Sequence, residues 1–201
     1  MTLALAEMRR QRGRFAAIIS AVVLIVFLVL VLNALADGLY YGATGAIRSG
    51  GADLYVFSKD GRKQVARSSL PAASAATVGA VPGVAAVGAV GILQGTAQGP
   101  EGVVDLALVG YEPGQPGGPA RAVTGRLPRP DEPLAGAADT SLRDKGVGLG
   151  DTITFSGSSR PITVVGFTSD SRYELQPTVW TTVNTWRAVR DEARPEFKGK
   201  E

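Results

Sequence analysis

One stretch decides how this chain is organised: RRQRGRFAAIISAVVLIVFLVLVLNALAD, residues 9–37, in which a basic run precedes a long apolar segment. From Phe15 to Ala36 there is no charged residue, and the polar side chains are Ser20 and Asn33. As a helix rising about 1.5 Å per residue, this segment would reach about 33 Å, against a hydrocarbon core about 30 Å thick. In lipid, a single segment can pair its backbone groups only as a helix. The stretch therefore predicts one transmembrane helix, residues 15–36.

A cleaved signal peptide is the alternative interpretation of the same segment. Ala34-Leu35-Ala36, followed by Asp37, has the small-x-small form of a cleavage site. The apolar run, however, exceeds the roughly 7 to 15 residues of a signal-peptide core. We therefore predict an uncleaved anchor, whereas cleavage would release a secreted domain that starts at Asp37.

The charge distribution predicts the orientation of this helix. The whole chain carries 21 Lys and Arg against 18 Asp and Glu, a net charge of +3. Four arginines precede the apolar segment, namely Arg9, Arg10, Arg12 and Arg14. With Glu7 they account for the entire net charge, so the remaining chain is electrically balanced and gives no support to nucleic-acid binding. Because short basic flanks stay in the cytoplasm, residues 1–14 are a predicted cytoplasmic arm, either an interfacial helix or a solvated tail. We assign membrane anchoring at the plasma membrane to these arginines and to the boundary residues Phe15 and Ala36.

Composition and motifs argue against catalysis. The chain has no Cys and no His, which excludes disulfides, cysteine zinc sites and histidine bases. The glycines of GVGLGD, residues 146–151, precede a predicted strand, and no Gly-Lys-Ser/Thr sequence follows them, so they do not form a phosphate loop. Candidate acid, base and nucleophile residues lack a shared signature, and capping or solvated roles are favoured for them: Asp105, Asp139, Asp170, Ser156, Ser158 and Ser159. We expect no enzyme activity and no cofactor or metal site.

Beyond the helix, short β-prone runs alternate with turn signals and predict an α+β extracytoplasmic domain over residues 37–189, followed by a charged, solvated tail over 190–201. The predicted strands are 53–58, 84–96, 103–111, 152–155, 161–167 and 178–182, and the predicted helices are 70–80 and 183–193, the latter with Trp186 on its inner face. Residues 134–145 give a weak element, and the proline-rich residues 112–133 a surface loop that could separate two lobes. Ile153, Phe155, Ile162 and Val164 alternate with polar residues, so strands 152–155 and 161–167 are expected to pair.

The aromatic residues leave two interpretations open. Tyr111, Tyr173, Trp180 and Trp186 could line a ligand groove, or they could belong to the core and to a lobe interface. Their wide spacing favours the core.

The order of motifs resembles that of FtsX-like or MacB-type ABC transporter permeases. The motifs that carry the resemblance follow the basic arm and the apolar helix and are ADLYVFS (52–58), VPGV (81–84), LVGYEPG (108–114), VTGRLP (123–128), GVGLGDTITFSG (146–157) and ITVVGFTSD (162–170). Residues 146–170, a glycine-Asp turn, a strand and a VVG strand, are the most specific part. The resemblance implies a first transmembrane helix and an α+β outer domain of two lobes, with three further transmembrane helices after it.

The resemblance also implies partners. Such permeases form dimers or hetero-oligomers in the lipid bilayer, and a separate cytoplasmic ABC ATPase drives movement of the outer domain. Because no second apolar run of spanning length follows Ala36, we expect either an N-terminal fragment or a shortened protein. In this interpretation Gly42, Gly45, Gly50 and Gly51 are either a hinge between the helix and the outer domain or ordinary turn residues. The alternative function is a single-pass anchored binding or adaptor module.

Overall fold

The computed structural model describes residues 10–62 and 64–198, so Arg9 of the predicted arm lies outside the described residues. The first long element is helix α1, Arg12–Ser49, which has 38 residues. Among the described residues α1 is the helix that is long and apolar enough to cross a membrane, with a mean hydropathy of 3.3 over its most apolar window. It continues through Ala36, the end of the predicted span, and of its residues Gly45 and Ala46 are buried.

The described residues from Gly42 onward form one compact unit. The two lobes that the resemblance implied stay a prediction. The helices of this unit are α2, Ser74–Gly79, and α3, Val183–Ala193, with short 3-10 turns at Lys59–Gly61, Val65–Arg67, Thr140–Lys145 and Pro195–Phe197. Its strands are β1, Val90–Gly99; β2, Gly102–Tyr111; β3, Thr124–Gly125; β4, Ala135–Asp139; β5, Thr152–Phe155; β6, Pro161–Thr168; and β7, Thr178–Thr182. The predicted α+β class is confirmed.

The seven strands form one mixed sheet in the order β3-β6-β4-β7-β2-β1-β5. Strand β5 also pairs with β6, so the sheet closes on itself. The pairs β2–β7 and β4–β6 are parallel, and the other pairs are antiparallel. Closure leaves few free strand edges, which protects the backbone groups of short strands from water and from other chains.

Both faces of the sheet are buried, as strand β2 shows. Its side chains alternate, so Leu106 and Leu108 join one core cluster with Val189 of α3. Val109 and Tyr111 join a second cluster with Ala46 of α1. The end of α1 and helix α3 therefore cover different faces of the same sheet.

Trp186 occupies a slot made by two glycines that face each other across β1 and β2. Gly91 and Gly110 are register partners, and a Cβ on Gly91 would lie 2.6 Å from the Trp186 ring. A Cβ on Gly110 would also collide with the Trp186 side chain. The predicted inner position of Trp186 is confirmed, and the glycine pair is the reason that so large a ring fits there.

Several predicted elements agree with the structure. Strands β2, β5 and β7 and helix α3 lie where the sequence patterns placed them, and Ile153 pairs with Ile162 in the predicted β5–β6 hairpin. Helix α3 starts at Val183 because the Thr182 side chain accepts a hydrogen bond from the Thr185 N–H. The predicted boundary at residue 189 falls inside this helix, since α3 continues to Ala193 and Arg190 packs over the Trp186 ring.

One predicted element is wrong, and two others have bounds that differ from the prediction. Residues 53–58 are not a strand: Leu54 is 86% exposed, and no strand of the described residues pairs with this run. Strand β1 starts at Val90, well after the predicted start at Val84, because the Ala89 N–H is bound by the Glu112 carboxylate. The helix predicted over 70–80 is limited to α2. In each case the residues prefer a strand or a helix locally, but tertiary contacts, not this local preference, decide which residues form the element.

The turn of the β5–β6 hairpin is tied to α3 through Glu192. Its carboxylate accepts hydrogen bonds from the Ser159 N–H at 3.1 Å, the Ser158 hydroxyl at 2.9 Å and the Arg160 Nε at 2.6 Å. These donors, the Ser159 N–H first, lower the pKa of Glu192 to about 2 from its ordinary 4.5. The charged carboxylate therefore joins the hairpin to the helix.

The lowered pKa predicts how pH affects this connection. The stabilisation from Glu192 is complete above its ordinary pKa of 4.5 and is lost as the pH falls through about 2. Unfolding midpoints of the full chain, measured from pH 6 to pH 2, should fall more steeply for the natural chain than for Glu192→Gln. Glu196→Gln is the control, since Glu196 is exposed and makes no hydrogen bond to the described residues. Equal slopes for the natural chain and Glu192→Gln would contradict the assignment.

Candidate functional site

The C-terminal turns of α1 are fastened to the loop between β6 and β7, residues 170–176, which we call the clasp loop. Three backbone hydrogen bonds connect them. The Ala46 N–H donates to the Arg172 carbonyl at 2.8 Å, the Glu174 N–H to the Ala43 carbonyl at 3.1 Å and the Leu175 N–H to the Gly42 carbonyl at 3.2 Å. One N–H donor belongs to the helix and two belong to the loop, so these hydrogen bonds hold the helix and the loop in one register.

The clasp loop presents these N–H groups through an unusual turn. Tyr173 and Gln176 exchange backbone hydrogen bonds of 3.0 and 2.9 Å, which closes a tight turn. The two central residues, Glu174 and Leu175, have φ values of 48° and 69°, a left-handed conformation that glycine or asparagine normally occupies. The contacts with α1 therefore hold a strained backbone in place.

Two glycines of α1 allow the loop to approach this closely. A Cβ on Gly45 would lie 2.6 Å from the Asp170 carbonyl oxygen and 3.0 Å from the Arg172 nitrogen. A Cβ on Gly42 would lie 2.9 Å from a methyl carbon of Leu175. Both glycines lie within α1, so at these positions the helix is continuous in the structure. Their predicted role as a hinge stays a prediction.

The other two glycines of the predicted hinge lie just after the helix. The Gly50 carbonyl accepts a hydrogen bond of 2.7 Å from the Gly117 N–H, and Gly51 has a φ of 61°. The Tyr55 hydroxyl donates to the Ile47 carbonyl at 3.1 Å, which fixes the chain as it leaves α1. Burial raises the pKa of Tyr55, so this hydroxyl remains protonated and able to donate at neutral pH.

Behind the clasp loop lies a buried carboxylate, Asp139, which is 2% exposed. Its Oδ1 accepts hydrogen bonds from the Ser141 N–H at 3.0 Å and the Ser141 hydroxyl at 2.6 Å. Its Oδ2 accepts from the Ser171 N–H at 3.3 Å and the Ser171 hydroxyl at 2.8 Å. The Thr178 hydroxyl donates to the Ser171 carbonyl at 2.7 Å. Asp139 thus connects the end of β4 to the clasp loop.

The sequence patterns identified part of this site. Asp139 caps the 3-10 turn Thr140–Lys145, as the preference for a capping role predicted, while Asp105 is exposed on β2. The contact of Asp139 with Ser171 was missed because the two residues are far apart in the chain. The spacing of Gly42 and Gly45, three residues apart on one helix face, was the available signal for a close contact.

The residues that the sequence predicts to anchor the chain in the membrane lie in or next to α1, as far as the structure describes them. Of the predicted arginines, Arg12 and Arg14 are in the first turn of α1, and Phe15 and Ala36 follow along it. The apolar window of α1 is exposed throughout, as a lipid-facing surface would be. These positions agree with an anchoring role, which stays a prediction.

Of the four aromatic residues left open by the sequence, three belong to the core. Tyr111, Tyr173 and Trp180 lie in the cluster that contacts α1, and the Tyr111 and Trp180 rings meet edge to face at 5.9 Å. Burial raises the pKa of Tyr111 and, with the charge of Glu174, that of Tyr173 to about 12. Trp186 differs, since it lines a groove. In the described part of the chain, no three His, Cys, Asp or Glu side chains are grouped to hold a metal.

Comparison with known proteins identifies the family. The sequence profile of the MacB-like periplasmic core domain matches residues 15–197, so the chain belongs to this family. No curated protein sequence matches significantly.

Two solved structures are similar to the chain. The periplasmic region of MacB from Actinobacillus actinomycetemcomitans is 18% identical, with a TM-score of 0.49 and coverage of 69% of each chain. The extracellular domain of the ABC-type transporter YknZ from Gram-positive bacteria is 20% identical, with a TM-score of 0.48, covering 67% of this chain and 73% of that one.

Proposed function

We propose that this chain is a permease subunit, or the N-terminal part of one, in an ABC transporter. A partner ATPase in the cytoplasm hydrolyses ATP and moves α1, which moves the outer domain. The observation that carries the proposal is the set of hydrogen bonds, which we call the clasp, between Gly42, Ala43 and Ala46 of α1 and the clasp loop. A helix that served only as a tether would not require such a register.

In this proposal, residues 1–14 are cytoplasmic, residues 15–36 span the plasma membrane, and residues 37–189 with the tail 190–201 are extracytoplasmic. The arginines before Phe15 support this orientation because basic flanks remain inside. The unbroken helix through Ala36 supports an uncleaved anchor, since α1 continues to Ser49.

The partners follow from the same proposal. ATP chemistry belongs to a separate ABC ATPase, and a second permease subunit, identical or related, completes a dimer in the bilayer. Gly42, Gly45, Gly50 and Gly51 set how much of a helix movement reaches the outer domain. Coupling requires that the clasp resist bending at these glycines during the cycle.

Orientation is tested with single cysteines, because the natural chain has none. Asp131→Cys, on an exposed loop, should react with a membrane-impermeant maleimide on intact cells, while Gln11→Cys should react only after permeabilisation. The cysteine-free natural chain is the control for background labelling. The reverse pattern would contradict the orientation.

The partner is tested by affinity purification of the full-length gene product from cross-linked native membranes. An ABC ATPase should be recovered, and its ATP hydrolysis should change when the clasp is broken by Gly45→Leu. Recovery of no ATPase, with correct orientation, would favour the anchored adaptor instead.

A further inference from the structure

A groove lies between the irregular residues 51–57, the segment 68–89 that contains helix α2, the start of β1 and helix α3, and it has a volume of about 590 Å³. This volume lies within the range of small-molecule binding sites. Apolar side chains supply most of its wall, among them Val56, Leu70, Val78, Val84, Val87 and Val90. Val56 is 54% exposed, so part of this apolar wall is in contact with water. Exposed apolar patches of this kind are typical of binding sites.

The α3 side of the groove is basic. Arg187 and Arg190 both line it, beside Trp186. The Arg190 guanidinium is 2.7 Å from the Asp191 carboxylate and lies over the Trp186 ring, 4.8 Å from its centroid, so its charge is compensated. Arg187 is half-buried and makes no hydrogen bond or ion pair with the described residues. The lining also contains one carboxylate, Asp53, which is exposed.

An unpaired, half-buried guanidinium beside an apolar wall defines the chemistry of an occupant. Partial burial makes a cation without a partner costly, and a carboxylate satisfies a guanidinium with two parallel hydrogen bonds. The apolar wall gains free energy when a hydrocarbon chain removes it from water.

We propose that this groove binds a fatty-acid-like amphiphile, with its acyl chain along the apolar wall and its carboxylate on Arg187. The proposal is independent of ATP coupling, because it depends only on the groove and on α3. It assigns to the outer domain a ligand site in addition to its contact with the helix.

Tryptophan fluorescence provides a local test. The chain has two tryptophans, and Trp180 is 1% exposed in the core while Trp186 lines the groove. We would titrate the full chain, in nanodiscs of unbrominated phosphatidylcholine, with 9,10-dibromostearate, whose bromines quench a nearby indole. Saturable quenching is expected, and Trp186→Phe should abolish it. Quenching that persists in Trp186→Phe would overturn the site.

The headgroup is tested with the methyl ester of the same brominated acid, which enters the bilayer but carries no charge. Its apparent affinity should be at least about tenfold lower, since the uncharged ester cannot form the charge-assisted hydrogen bonds that a carboxylate forms with a guanidinium. Arg187→Gln should cause a similar loss for dibromostearate, while Arg121→Gln, on an exposed loop outside the groove, should cause none. Equal quenching by acid and ester would show bilayer insertion and overturn the proposal.

A second variant tests the groove independently, in case Arg187→Gln does not fold correctly. Ala75→Phe fills the groove from an exposed position on α2 and should also weaken quenching about tenfold, with an unchanged far-ultraviolet circular dichroism spectrum. Unchanged binding in both well-folded variants would overturn the proposal.

Discussion

Asp139→Ala is expected to lower the free energy of unfolding of the outer domain by roughly 3 to 5 kcal/mol, a large fraction of the stability of a domain this size. The carboxylate is buried and accepts hydrogen bonds from the backbone and hydroxyl groups of both Ser141 and Ser171. Ser171 is fully buried, so its donors would lose their partner without gaining water. The clasp loop would then lose its attachment to β4.

The measurement is denaturant unfolding of the full chain in detergent, followed by near-ultraviolet circular dichroism, with Asp105→Ala as the control. Asp105 is an exposed aspartate on β2, and its replacement should change stability by no more than about 0.5 kcal/mol. Asp139→Asn should be intermediate, because its amide oxygen can still accept from Ser141 while its NH₂ group faces the donors of Ser171. An Asp139→Ala variant as stable as the Asp105→Ala control would show that the carboxylate does not hold the loop.

The sequence predicted those elements whose pattern is local. The β5–β6 hairpin followed from the alternation of Ile153 and Phe155 with polar residues, and the two strands pair as expected. Strand β7 and helix α3 were predicted with the bounds that the structure has, and the structure shows that Thr182 caps the helix. In each case the signal and the contact that satisfies it lie within a few residues of each other.

The predictions that failed concern segments whose structure depends on partners far away in the chain. Strand β4, AGAAD, consists of small residues without β-propensity, yet all five are buried because it lies between β6 and β7. Gly136 has room only for hydrogen, since a Cβ there would lie 2.7 Å from a methyl carbon of Ile162. Conversely, residues 53–58 have high β-propensity and no strand partner among the described residues. Propensity alone could not distinguish these cases.

The candidate site was predictable only in part for the same reason. The sequence singled out Gly42 and Gly45 as either hinge residues or ordinary turn residues, but nothing near them in the chain indicates Asp170 or Leu175 as their neighbours. The clasp joins residues that are about 130 positions apart in the chain, so no local pattern indicates it. Its strained turn at Glu174 and Leu175 shows no glycine or asparagine that would have indicated a left-handed backbone.

Gly45→Leu is expected to detach α1 from the clasp loop. Its Cβ would lie 2.6 Å from the Asp170 carbonyl oxygen, a backbone atom of the same loop whose Arg172 carbonyl accepts the hydrogen bond from the Ala46 N–H. Overpacking of this kind costs about 1 to 3 kcal/mol, whereas the higher helix propensity of leucine acts on the helix whether or not the loop is docked. We expect a loss of about 2 kcal/mol in the free energy of docking.

Hydrogen exchange measures this docking locally. In Gly45→Leu the amides of Glu174 and Leu175, which donate to α1, should exchange roughly thirtyfold faster, the ratio that corresponds to about 2 kcal/mol. Gly38→Leu is the matched control, because Gly38 lies in the same helix and a Cβ there meets nothing within 4 Å. It should leave these two amides unchanged, since it raises helix propensity without touching the loop. If both variants exchanged alike, the close approach at Gly45 would not be what fastens the helix, and the coupling role of the clasp would lose its physical basis.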